Sequence, residues 1–121
     1  MPSVFEATAG TALGVSSDQT GSVTQASSKA TGVTLSKVAG VITMDDAALA
    51  AAAEVSFAVT NTKCTASDVV IVNHASGGTA GAYLVQANTI AAGSFAITVT
   101  NVSAGSLGEA IVLNYQILKA G

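Results

Sequence analysis

Two stretches of the chain, AEVSFAVTN at residues 53–61 and GSFAITVTN at residues 93–101, alternate apolar and polar side chains with a period of two. That period sets Val55, Phe57 and Val59, and likewise Phe95, Ile97 and Val99, on one side of an extended strand with its other side in water. The two stretches also end alike. Val59-Thr60-Asn61 returns 40 residues later as Val99-Thr100-Asn101, and each triplet leads through Asp68 or Glu109 into an apolar run ending at Asn73 or Asn114, 41 residues apart. A unit of amphipathic strand, loop and doubly apolar strand therefore occurs twice. In a two-sheet sandwich the copies are expected in related positions, with the Asn residues at strand ends bonding nearby backbone.

Other segments carry the same strand signals: GVTLSK (32–37), GVITM (40–44), DVVIVNH (68–74), AYLVQANT (82–89) and AIVLNYQIL (110–118). The expected fold class is all-β, an antiparallel β-sandwich of Ig-like or jelly-roll-like form over residues 31–121. Residues 1–30 are rich in Ser, Thr, Gly, Ala and Gln without a regular apolar period, and read as an extended N-terminal arm. The run DDAALAAAA (45–53) has helix propensity but only one Leu for an apolar stripe, so a loop with a short turn is expected there.

With 24 Ala and 15 Val, no Trp, three Phe and two Tyr, the core must come mainly from small and β-branched side chains. Such a core is thin, and part of the burial is expected to come from partner chains. The basic residues are Lys29, Lys37, Lys63 and Lys119, with no Arg and a net charge of -3. Scattered lysines without Arg do not make the clustered positive field that nucleic acid requires. Cys64 is alone, which excludes an intrachain disulfide and reads as a small buried hydrophobe. The longest apolar run, Ala47 to Ala53, is far short of the roughly 20 residues of a membrane helix. MPSVFEATAG has no basic residue followed by a long apolar run, so no secretory signal is expected.

The chemistry-bearing residues are few. His74 is the one imidazole, and a triad with Asp68 and a Ser lacks the G-x-S-x-G turn that would expose a nucleophile. One His and one Cys cannot complete a zinc site. Asp45 and Asp46 are adjacent carboxylates that read as a solvated loop tip. Glu54 and Glu109 each open a strand of the repeated scheme, but a sugar-cleaving pair needs an aromatic platform that five aromatics, some on core positions, scarcely supply. The loops SGGTAG (76–81) and SAGSLG (103–108) lead into strands and not into a helix, so they read as tight turns with positive φ and not as phosphate cradles. No catalytic residue, metal ligand or cofactor site is assigned, and the chain is not expected to be an enzyme.

From Val23 to Ala120, the phrases GSVTQASSKATGVTLSK, GVITM, ALAAAAEVSFAVTN, SDVVIVNHASGGTAGAYLVQANTIAAGSFAITVTNVSAGSL and EAIVLNYQILKA resemble a family of small tailed-bacteriophage virion proteins, found alone or as the end domain of a fibre. The chain departs from that pattern at Ala52, where Gly is usual. The resemblance implies a capsid decoration or cement protein on the outer surface of the virion, made in the host cytoplasm, oligomeric and often trimeric, and bound to the major capsid protein. It also allows a tail-fibre or receptor-binding module that recognises host-surface glycans through SGGTAG and SAGSLG. The arm, Pro2 to Lys29, is expected to make part of the capsid contact. Val69–Val72 and Ile111–Leu113, apolar on both faces, are expected to be covered on their second face by a neighbouring subunit or, as central strands, by the chain's own loops.

Overall fold

The computed structural model describes residues 15–120. After a short 3-10 turn at Ser17–Gln19 come the strands β1 (Thr20–Thr24), β2 (Val33–Thr34), β3 (Ala39–Thr43), β4 (Glu54–Thr60), β5 (Val69–Ser76), β6 (Tyr83–Ala91), β7 (Ser94–Asn101) and β8 (Val112–Leu118). They form two packed four-stranded sheets, β1-β3-β8-β5 and β2-β4-β7-β6. This is the expected all-β sandwich, with one difference in its ladders. β1–β3 and β2–β4 run parallel, and the other pairs antiparallel. Each parallel pair sits at a sheet edge, because the chain passes through a strand of the opposite sheet between the two partners instead of returning by a hairpin.

The repeat is the centre of the fold. β4 and β7 are antiparallel neighbours in one sheet, and the strands after them in each copy, β5 and β8, are antiparallel neighbours in the other. Each copy thus crosses the sandwich once and lies against its counterpart. Phe57, Val59, Phe95, Ile97 and Val99 point inward from β4 and β7, opposite Ile42, Leu113, Tyr115 and Ile117. The rings of Phe95 and Tyr115 meet edge to face at 5.3 Å. Gly40 makes that packing possible: a Cβ there would lie 2.6 Å from Leu35 and 2.7 Å from the Tyr115 ring.

Asn61 and Asn101 are both fully buried. Each closes its own loop, with the backbone N–H two residues on, of Lys63 or Ser103, donating to its side-chain oxygen at 2.9 Å. Their amide nitrogens then bond other segments: Asn61 donates to the Lys37 carbonyl at 2.8 Å and to the Tyr115 hydroxyl at 3.2 Å, and Asn101 to the carbonyls of Leu49 at 2.8 Å and Gly105 at 2.9 Å. A buried amide is tolerated only when so paired, and here the pairing ties each strand end to the rest of the fold.

The arm boundary needs correction. Residues 1–14 of the expected arm lie outside the described residues, but Thr20–Lys29 belongs to the sandwich. β1 pairs in register with β3, Thr20 with Ala39 through Thr24 with Thr43. Polar anchors hold the segment after β1. Gln25, only 3 % exposed, donates to the carbonyls of Lys29 and Thr31, both at 2.9 Å, and accepts the Asp45 N–H at 3.0 Å. Lys29, equally buried, donates its ammonium to the backbone carbonyls of Asp45 and Glu109, the latter at 2.7 Å. Hydrophobic periodicity misses such a segment because hydrogen bonds order it, with Val23 adding the apolar contact.

Residues 45–53 form the expected loop. Leu49 makes a bridge to Leu107, and Ala50–Ala53 is a turn closed by the Ala53 N–H on the Ala50 carbonyl at 3.1 Å. Ala52 has φ +63°, so this turn holds a residue with a Cβ in the left-handed region. Of the two glycine-rich loops, SGGTAG turns on the positive φ of Gly77, Gly78 and Gly81. SAGSLG does not: Gly105 and Gly108 lack positive φ, and Asn101 and Ser103 shape the loop through side-chain bonds.

Candidate functional site: the outer face of the first sheet

Strand alternation decides what this face presents. β3 and β8 turn Ile42, Leu113, Tyr115 and Ile117 into the core, which leaves Ala39, Val41, Thr43, Val112, Asn114, Gln116 and Leu118 outward. β1 adds Thr20, Ser22 and Thr24, and β5 adds Val69, Ile71 and Asn73. No charged side chain points outward from these strands. Register then builds rows across the sheet. One runs Thr20, Ala39, Gln116, Ile71, and the next Ser22, Val41, Asn114, Asn73. Asn73 and Asn114, the equivalent residues of the repeat, stand directly opposite each other.

Between these rows the twisted sheet forms a shallow groove of about 360 Å³. The amides of Asn73, Asn114 and Gln116 line it together with the aliphatic side chains of Val41 and Ile71. Val41 is 40 % exposed, Val69 53 % and Ile71 48 %, so three of the five exposed large hydrophobics among the described residues lie on this one face. Scattered exposed aliphatics are ordinary, whereas a cluster on an uncharged surface marks a site of association. Val69 and Ile71 leave the second face of β5 open in the single chain. For Ile111–Leu113 the structure differs: Ile111 and Leu113 are fully buried and Val112 half-buried. β8 is an inner strand, flanked on both sides.

The residues of catalytic type are placed otherwise. His74 bonds the Gly77 carbonyl at 2.7 Å and packs edge to face on Tyr83 at 5.5 Å. Asp68 is six residues earlier on an extended strand, about 20 Å away, and faces Lys119 instead, at 2.6 Å. With that ammonium and the Thr65 N–H beside it, the Asp68 carboxyl is pulled down to about 2. Glu109 accepts the Tyr83 hydroxyl at 2.7 Å, the Thr79 N–H at 2.9 Å and the Thr79 hydroxyl at 2.8 Å, which hold its carboxyl below the usual range. Burial, reinforced by Glu109, pushes Tyr83 up to about 12. The cluster is a clasp joining the 76–81 loop to the start of β8. Glu54, at the head of β4, is exposed.

Among the described residues no group of three His, Cys, Asp or Glu side chains is placed to hold a metal ion. The Lys29 ammonium already sits on the Asp45 carbonyl, and its desolvation lowers the Lys29 pKa against the opposing pull of Asp45, Asp46 and Glu109. Cys64 is 3 % exposed, and burial raises its thiol pKa.

Sequence reasoning saw Val69, Ile71, Asn73 and Asn114 but not the face they share with Val41 and Gln116. Only the Asn73–Asn114 echo pointed to it, since side chains from four strands meet there through strand order. Fold and face together define the class as a two-sheet all-β sandwich with an uncharged, partly apolar outer surface. Comparisons with protein-family models, with curated proteins and with solved structures give no match to this chain.

Proposed function

We propose that the chain is a virion structural protein of a tailed bacteriophage, a decoration or cement protein that binds the major capsid protein on the outer surface of the head. The observation that carries this reading is the uncharged outer face of the first sheet, where Val41 and Ile71 line a groove with the amides of Asn73, Asn114 and Gln116 and Val69 adds a further exposed aliphatic side chain on β5. A surface of this kind gains from leaving water and asks its partner for hydrogen bonds instead of ion pairs. The family resemblance in sequence supplies the partner. A protein that binds the assembled lattice and not its separate subunits stabilises the shell in proportion to RT ln(1 + [L]/Kd).

The test is occupancy on heads that lack the protein. Wild-type chain is expected to bind and to raise the temperature at which the heads open. Val41→Glu, which places a charge in the groove lining, is expected to lose occupancy while keeping the fold. Full occupancy by that variant, or density for the chain only at the tail, would refute the reading.

The groove amides favour one second reading, a module for host-surface glycans. Against it, Phe57, Tyr83, Phe95 and Tyr115 are all 8 % exposed or less, so none of the described aromatics offers a ring for a sugar to stack on. Specific binding on a glycan array, lost in Asn114→Ala, would reverse the order of the two.

A further inference from the structure

We propose that the free edge of β5 pairs with β5 of a second copy, antiparallel about a two-fold axis at Ile71, joining the first sheets of two subunits into one continuous sheet. Among the described residues β5 is bonded to β8 alone, so the backbone groups along its other edge have no strand partner. Exposed edges are usually guarded by charge, proline or bulges. The sequence VVIVNHAS has neither charge nor proline, and its one bulge comes late, between His74 and Ser76.

Burial says what kind of cover is missing. Outward-facing Val69 and Ile71 are about half exposed, and the inward-facing Val70, Val72 and His74 are only half-buried as well. On the neighbouring β8 the inward residues Leu113, Tyr115 and Ile117 are 4 % exposed or less. A partner lying on the outer face would cover the first set and leave the second open. A strand alongside β5 covers both.

The occupant is a second copy because β5 complements itself. About Ile71, Val69 falls opposite Asn73 of the partner subunit, Val70 opposite the partner's Val72, and Ile71 opposite the partner's Ile71, with side chains on matching faces and no charges opposed. The other free edges fit less well. β1 presents Thr20, Ser22 and Thr24, β2 has two residues, and β6 is broken by a register shift between Asn88 and Ala91 with Thr89 at φ +54°. This pairing departs from the trimer that the family resemblance implies, and it does not depend on the virion reading, because it concerns the free chain in solution.

Sedimentation equilibrium on the full chain tests it. Wild type is expected as a dimer. Ile71→Lys and Ile71→Glu each set like charges directly opposite one another and are expected to weaken the dimer about tenfold or more. An equimolar mixture of the two is expected to restore it as a heterodimer. Ile71→Cys, whose thiols would meet on the axis, is expected to cross-link under mild oxidation, while buried Cys64 stays unreacted. A wild-type monomer or trimer, charge variants that dimerise as well as wild type, a mixture that stays monomeric, or no cross-link would each overturn the pairing.

Discussion

Replacing Asn101 by Ala tests the idea that two buried amides lock the repeated strand ends. The side chain takes part in four hydrogen bonds: to the carbonyls of Leu49 (2.8 Å) and Gly105 (2.9 Å), and from the Ser103 N–H (2.9 Å) and hydroxyl (2.7 Å). Each is worth about 1 kcal/mol net, more where a buried partner is stranded. Two losses are softened, since Leu49 O keeps the Leu107 N–H at 3.0 Å and Gly105 O keeps the Ser103 hydroxyl at 3.0 Å. The sum is about 3 kcal/mol, or roughly 10–15 °C in melting temperature for a domain of this size. Urea and thermal unfolding followed by circular dichroism measure it, with exposed Asn114→Ala as a control expected within about 0.5 kcal/mol of wild type. Asn101→Asp separates donor from shape. It keeps an acceptor for Ser103 but aims a second oxygen at two carbonyls, so at neutral pH it should cost at least as much as Ala. The introduced carboxyl favours its protonated, donating form in the fold, so its folded pKa is raised. Its deficit should therefore be smallest below the ordinary carboxylate pKa and grow as pH rises through the folded value. A loss under about 1 kcal/mol for Asn101→Ala, or an Asp variant as stable as wild type at pH 7, would refute the locking argument.

Ala52 holds φ +63°, which costs a residue with a Cβ more than it costs glycine, so Ala52→Gly should stabilise by about 0.5–1 kcal/mol in urea titrations. Gly40→Ala should do the reverse by about 1–3 kcal/mol, because the new methyl meets Leu35 at 2.6 Å and Tyr115 at 2.7 Å. Asp68 stays ionised in the fold down to about 2, whereas the unfolded chain protonates it near 3.8. The unfolded state then binds more protons between those values, so this contribution is whole above pH 3.8 and lost as pH falls through the window. Acid unfolding of Lys119→Met should show a smaller pH dependence there than wild type, and equal profiles would exclude the ion pair as its source. Tyr115, pushed up to about 12 by burial against an ordinary 10.0, gives the opposite sign at high pH, with stability falling as pH rises from 10 toward 12. Its absorbance titration, measured beside Tyr115→Phe, reads this directly.

The amphipathic strands were legible from their alternation, because a period of two has one solution once a core exists. Phe57, Val59, Phe95, Ile97 and Val99 all point where the sequence places them. The repeat also foretold that Asn61 and Asn101 play matching roles, since an Asn after Val-Thr at a strand end has few other uses. The Thr20–Lys29 segment was not legible. Its order depends on Gln25 reaching Asp45 and on Lys29 reaching Glu109, 80 residues away, and nothing in its own composition predicts such partners.

The outer face shows the same division. That β5 carries aliphatic residues on both sides was plain in VVIVNH, and the shortage of charge on the whole chain was plain in its composition. Those local properties require only the neighbouring residues. Which strand became an edge, which strand lay beside Asn73, and whether Val69 and Ile71 were covered depended on the order β1-β3-β8-β5. Strand order is a choice among long-range pairings of similar local energy, which no single segment encodes, so only the folded chain decides it.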